Sequence, residues 1–294
     1  MQLAKLNWIR YNFYIVLISG YFGIVLLGYV YFGVLLQSTL GIVSVALLPI
    51  TVLLGRTKEF LRDWSPFLTL LLSYEALQGI AGSVAASRGV LSIYPIDSAL
   101  WGGTNITGEV QRALLSPVLT DVATLLYSLH LPLVAVLATS LWYLNKLEFK
   151  RYVLALIICS YFSLMVFLAL PTSPPWYAGV ASNLITPSGN QSAVGSFYSS
   201  LGALTKSVES DKFAAFPSLH AAYAVLFTVY ALRLSRKLGL VVLVIACGVF
   251  FSTIYLGQHY VIDLVGGIIY SLAAVAVVDK LTATFFRQQL PNVR

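Results

Sequence analysis

The chain has 294 residues, of which 59% are hydrophobic and only 10% charged, with a mean hydropathy of +0.85. A soluble domain of this length carries about 25% charged residues, so the composition excludes a soluble fold and implies a chain packed against lipid. The formal charge of +7 comes from basic residues scattered singly between apolar runs, which argues against a nucleic-acid partner and for a topology signal.

In chain order, the first fourteen residues, MQLAKLNWIRYNFY, lead into a long apolar run with no A-x-A-like cleavage site. The expectation is a retained first helix rather than a signal peptide. Eight apolar spans follow, at residues 13–36, 40–54, 66–85, 118–144, 152–170, 217–234, 240–256 and 262–278. A spanning helix needs about 20 residues. The short second span is expected to tilt or to pair with the first as a hairpin. Cys159 and Cys247 lie in apolar runs at a spacing that fits neither a disulfide framework nor a zinc site, and read as small buried hydrophobes.

The basic residues fix an orientation. Alternate connections carry Lys5 and Arg10; Arg56, Lys58 and Arg62; Lys146, Lys150 and Arg151; Arg233, Arg236 and Lys237; and Lys280, Arg287 and Arg294. The other side holds only Arg88, Arg112, Lys206 and Lys212. The positive-inside rule then puts both termini in the cytoplasm. The expected fold is all-α, a polytopic transmembrane bundle of about eight spans forming one membrane-embedded domain over 1–294. Within it, 1–60 is an accessory helical hairpin and 118–280 the catalytic core. Two long connections, 86–117 and 171–216, fall on the external side, and ordered loops of that length usually carry function.

Three ionisable residues share that side. In the stretch STIYLGQHYVIDLVGG, Ser252 to Gly267, His259 and Asp263 stand four apart. On a helix beginning near His259 they share a face, and the carboxylate accepts a hydrogen bond from Nδ1–H of the imidazole. Nε2 is then left as a base or nucleophile. His220, in FAAFPSLHAAYAVLF, opens the sixth span from the external side. The chain crosses, turns at Arg233–Lys237, and crosses back to deliver His259 to the same face. Ionisable groups are costly in lipid, so three together imply function. The chemistry they suit is phosphoryl transfer. His259 attacks phosphorus, Asp263 stabilises the imidazolium, and His220 protonates the leaving oxygen before activating water or an alcohol. No cofactor or metal is needed for this. A zinc site is the competing reading, and it lacks an ordered tetrahedral ligand set.

Pro217-Ser218-Leu219-His220 resembles the P-S-x-H motif of the type 2 phosphatidic acid phosphatase superfamily. Ser252, His259 and Asp263 resemble its S-R-x5-H-x3-D motif. The resemblance implies a catalytic core like the six-helix phosphatidic acid phosphatase fold, acting on lipid phosphates at the outer or lumenal face. His259 is then the nucleophile, Asp263 its partner and His220 the proton donor. PTSPPWYAG, Pro171 to Gly179, is similar to the P-T-x-P-P-W signature of the inositol phosphorylceramide synthase-like branch. Tyr127 to His130 is similar to a Y-x-x-H in that branch. The prolines end the fifth span, and Trp176 and Tyr177 suit the headgroup layer. His130 is read either as a packed, hydrogen-bonded histidine or, with Tyr127, as a headgroup contact.

The chain departs from the superfamily pattern in two places. Thr253 stands where the superfamily has an arginine, and the K-x6-R-P motif is absent. Other groups must therefore neutralise the phosphate. Lys212, eight residues before His220, is the first candidate and Arg112 the second, followed by Lys206 and Arg88. Each of these reads equally as a headgroup contact. The Ser218 hydroxyl and the backbone N–H groups beside it at a helix start are further candidates. Glu75 and Asp121 are intramembrane or span-end carboxylates, and Arg62-Asp63-Trp64 reads as a cytoplasmic anchor.

The expected protein is therefore a membrane enzyme without cofactor, with a lipid phosphate or diphosphate as substrate. Its reaction is either hydrolysis or transfer of a phospho-headgroup, such as phosphoinositol, to a lipid or inositol-type acceptor. A non-enzymatic transporter or scaffold is the remote alternative, and it gives no reason to keep His220, His259 and Asp263 together. The expected setting is a prokaryotic plasma membrane or a lumen-facing endomembrane, with the site extracytoplasmic.

Overall fold

A computed structural model describes residues 55–128, 130–185 and 213–289. The first two expected spans and Lys206 and Lys212 lie outside the described residues. Among the described residues the structure is helical, with no strand. The elements are α1 (Thr57–Arg88), α2 (Tyr94–Leu100), α3 (Ile106–Leu114), α4 (Pro117–Ser128), α5 (His130–Leu144), α6 (Lys146–Ala169), α7 (Leu219–Leu234), α8 (Arg236–Tyr255) and α9 (Val261–Gln289). The chain divides into two units, Met1–Glu75 and Ala76–Arg294, with the division inside α1. In the first unit Phe60, Trp64 and Phe67 form a buried ladder, with ring centroids 5.2 and 5.9 Å apart.

Among the described residues three helices are long and apolar enough to cross a bilayer: α6, α8 and the Val261–Thr284 part of α9. The chain is thus an integral membrane protein. Within the apolar stretch read as one span over 118–144, the described residues form α4 and α5, and Leu129 between them lies outside the described residues.

In the second unit α7 is central and packs against α8, α9, α6 and α5. Its N-terminus is capped by Ser218, whose side chain accepts from Ala221 N–H at 3.3 Å. A single residue, Ser235, ends α7 and caps α8. Such a link forces the two helices into an antiparallel hairpin, so whatever follows α8 returns to the end where α7 began. The opposite end is tied by charge. Arg233 makes two hydrogen bonds to Asp279 on α9, at 2.9 and 2.6 Å, and reaches Glu148 on α6 at 3.3 Å. Glu148 also pairs with Arg151 at 2.5 Å.

Two glycines let α9 approach the start of α7. A Cβ at Gly267 would collide with the Ser218 carbonyl and lie 2.9 Å from Ala221 Cβ, and one at Gly266 would lie 2.8 Å from the Phe216 ring. Close helix approach through small residues replaces, in lipid, the hydrophobic drive that water supplies. Here it places the first turns of α7 and α9 against each other.

Candidate active site

The turn after α8 delivers His259. Leu256 closes the helix, and Gly257 takes a left-handed conformation, φ +77°. Gly257 N–H donates to Ile254 O at 2.9 Å and Gln258 N–H to Thr253 O at 3.0 Å. This is the Schellman arrangement, which needs a residue free to adopt positive φ. Gly257 is also hemmed in, since a Cβ there would sit 2.5 Å from Ser182 O. His259 N–H bonds the same Thr253 carbonyl at 3.2 Å, so the motif sets the backbone of the histidine itself.

The α9 helix begins at Val261, two residues later than the sequence spacing suggests. Asp263 therefore sits in the first turn, with its side chain reaching back to accept Tyr260 N–H at 2.8 Å. This is the N3-to-N-cap half of a capping box. The same oxygen lies 3.4 Å from His259 Nδ1, while the Ala215 carbonyl is nearer, at 3.0 Å. A carbonyl only accepts, so Nδ1 carries the proton and Nε2 holds the lone pair. The fixed tautomer expected from Asp263 is thus set jointly by a backbone oxygen.

Ala215 owes its position to PTSPPW. Thr172 N–H donates to Phe213 O at 3.0 Å, and Ala215 N–H to Thr172 O at 3.3 Å. Phe216 N–H donates to the Thr172 hydroxyl at 2.7 Å. Trp176 N–H bonds Gly257 O at 3.2 Å, and the Trp176 ring stands edge-on to Tyr177. The stretch is therefore a backbone brace for both histidine loops, a role its sequence alone did not reveal.

His220 faces His259, with its Nδ1 3.2 Å from His259 Nε2. Because Nε2 holds a lone pair, the neutral pair places the proton on His220 Nδ1. The other nitrogen, His220 Nε2, is buried with no hydrogen-bond partner, as is Asp263 Oδ1. His259 and Asp263 are 5% and 0% exposed, so water is largely excluded from the side of His259 that faces the carboxylate. Tyr127 stacks on the His220 ring at 4.2 Å, and the His130 ring lies 4.0 Å from it. His130 Nδ1 donates to Tyr127 O at 2.6 Å, three residues back. A third histidine thus stands beside the pair.

The remaining sequence candidates fall elsewhere. Ser218 is fully buried, and its hydroxyl is the cap of α7. Arg112 is largely exposed and paired with Glu109. Its neighbour Gln111 is the buried one, donating to Ser182 O and Tyr255 O at 2.8 and 2.9 Å. Thr253 turns its hydroxyl onto Phe250 O at 2.9 Å. Asp121 Oδ1 is buried without a hydrogen-bond partner. The side chains of Arg88 and Glu75 lie outside the described residues. Among the described residues no group of three or more His, Cys, Asp and Glu side chains is arranged to hold a metal ion.

Two residues escaped the sequence reading, Thr172 and Asp97. Asp97 is 2% exposed and accepts Ile262 N–H at 2.9 Å across 165 positions of sequence. Tyr260, directly before α9, is 1% exposed, and burial pushes its phenol pKa above the ordinary value.

The family model described as PAP2 superfamily matches residues 93–277, which include every residue of this constellation. The chain belongs to the PAP2 superfamily. Within it, the chain is 30% identical over 220 residues to phosphoinositol dihydroceramide synthase of Bacteroides thetaiotaomicron, covering 69% of this chain and 71% of that protein. It is also 30% identical over 115 residues to inositol phosphorylceramide synthase of Candida albicans, covering 37% of this chain and 24% of that one. No solved structure matches the chain. These relationships identify a membrane enzyme that processes lipid phosphoesters.

Proposed function

We propose that the enzyme transfers a phospho-headgroup of the phosphoinositol type from a phospholipid to the hydroxyl of a ceramide-type lipid, through a phosphohistidine at the extracytoplasmic face. The observation that carries this reading is the facing pair, His259 Nε2 to His220 Nδ1 at 3.2 Å, with Nδ1 of His259 held by Ala215 O and Asp263. An unprotonated nitrogen backed by a carboxylate is a nucleophile, and a protonated one opposite it is a general acid.

In the first half-reaction His259 Nε2 bonds to phosphorus as the phosphorus–oxygen bond to the lipid breaks. His220, acting as the imidazolium with a second proton on Nε2, gives its Nδ1 proton to the departing oxygen and is left neutral. The Nδ1 proton of His259 stays on the ring, and Asp263 balances the charge that develops there. In the second half-reaction the acceptor hydroxyl attacks phosphorus and gives its proton to His220, and the nitrogen–phosphorus bond breaks. For phosphorus to enter between the rings, their direct hydrogen bond must open. Lys212, Arg112 and the N–H groups at the start of α7 are the proposed phosphate contacts, and Tyr127, His130 and Trp176 the proposed headgroup contacts. The name of the Bacteroides relative supports transfer. Hydrolysis would share the first half-reaction, with water taking the place of the lipid hydroxyl.

The test is a product assay on purified protein in mixed micelles, with phosphate-labelled phospholipids, phosphatidylinositol among them, with and without a ceramide. Label on the ceramide, lost in His259→Ala, supports the proposal. Label released in water-soluble form with ceramide present makes the enzyme a hydrolase. Label unmoved from every lipid overturns the reading.

A further inference from the structure

The long connection before α4 holds a buried carboxylate that the reaction scheme does not use. α2 turns Asp97 and Ser98 inward while Ile96 and Leu100 face outward, 57% and 62% exposed. Asp97 Oδ1 accepts the N–H of Ile262 at 2.9 Å. Ile262 is the second residue of α9, and its N–H is one of the four that a helix start cannot satisfy internally. The next residue is Asp263. The segment around Asp97 is itself fastened to the brace beneath the histidines. Leu91 N–H donates to Pro171 O at 2.8 Å, and Ser173 N–H to Leu91 O at 3.0 Å. Tyr94 also packs on Tyr260, with ring centroids 6.3 Å apart.

We propose that Asp97 is a positioning residue that holds the first turn of α9 in the register where Asp263 meets His259. An aspartate from a different helix is suited to this for two reasons. A carboxylate at a helix N-terminus is favoured by the helix dipole and makes a charge-assisted bond to the amide. It also fixes the turn from outside, where the capping contact of Asp263 onto Tyr260 N–H fixes it only from within. Losing the external tie frees the first turn to fray, and Asp263 and the Tyr260–His259 backbone move with it. Misplacing a reacting group by an ångström costs on the order of 100-fold in rate without touching the groups that bind substrate.

This inference rests on the proposed reaction for its kinetic consequence but not for its structural one, so two readouts separate them. The first is hydrogen–deuterium exchange of peptides covering 259–266, with a peptide from α6 as control. Asp97→Leu, close to isosteric and without an acceptor, is expected to speed exchange there about tenfold and leave the α6 peptide unchanged. Asp97→Asn keeps an oxygen for Ile262 N–H and is expected to exchange like the native protein. The second readout is lipid turnover. Asp97→Leu is expected to lower kcat roughly 10- to 100-fold with KM within about twofold, and Asp97→Asn to restore most of it. Native exchange in Asp97→Leu overturns the proposal, and so does loss in Asp97→Asn as severe as in Asp97→Leu. If the native enzyme turns over no lipid, the reaction scheme falls, while the exchange result still decides the role of Asp97.

Discussion

The backbone N–H of Ser218 donates to the carbonyl of Asp263 at 3.1 Å. Ser218 caps the helix that carries His220, and Asp263 stands in the first turn of the helix that follows His259. One hydrogen bond therefore joins the two motif segments at their roots. The separation of the histidines is set by a backbone contact, and the side chains inherit it.

That contact predicts the effect of Gly267→Ala. The added methyl meets the Ser218 carbonyl, which belongs to backbone and cannot swing aside. Overpacking of this kind costs about 1–3 kcal/mol. Thermal unfolding in detergent is expected to shift down accordingly, with kcat falling because His220 is pushed away from His259. Native stability with native kcat would show that α7 and α9 do not approach as closely as described.

His259→Ala is expected to remove turnover by roughly 10⁴-fold or more, as loss of a nucleophile does. Its signature is chemical. Acid-labile, base-stable label on the native protein after rapid quench, absent from His259→Ala, reports the nitrogen–phosphorus bond. Label that persists in the variant would assign the nucleophile elsewhere.

Asp263→Asn keeps an oxygen for Tyr260 N–H but removes the negative charge behind the imidazole. Ala215 O still holds His259 Nδ1 at 3.0 Å, so the tautomer survives. The loss is therefore expected to be about 100-fold in kcat, with the fold and KM intact. A loss as large as that of His259→Ala would mean that the carboxylate, rather than the carbonyl, sets the tautomer.

His130→Asn removes a ring 4.0 Å from His220. If His130 and Tyr127 contact the headgroup as proposed, KM for the phospholipid rises about tenfold with kcat little changed. A fall in kcat at constant KM would instead make His130 a support for His220.

At the far end of the bundle, Arg233→Met leaves Glu148 and Asp279 without their shared partner. The pairs are partly exposed, so the expected cost is about 1–2 kcal/mol. Unfolding is expected at lower temperature while KM stays native, because Arg233 lies about three and a half turns of α7 from His220. A second change, Asp279→Leu, should recover part of the stability by removing one stranded charge.

Much of the site was legible in order and spacing. Pro-Ser-x-His and the Ser252–His259–Asp263 pattern named three residues, and the apolar runs with a one-sided basic pattern implied that they meet. Meeting follows from topology, since a helix, a short turn and a second helix return a chain to the face it left.

The sequence by itself determined the class of protein, the family and which titratable residues were the candidates for its site, because composition, periodicity and motif spacing are local properties. Only the tertiary structure decided what holds those groups. Ala215 O on His259 Nδ1, Thr172 beneath Ala215, Ser218 on the carbonyl of Asp263 and Asp97 on Ile262 N–H are all contacts between segments far apart in the chain. Most run through backbone atoms, which every residue possesses alike. Residue identity therefore carries almost no mark of them until the helices are packed and each buried N–H and C=O has found its partner.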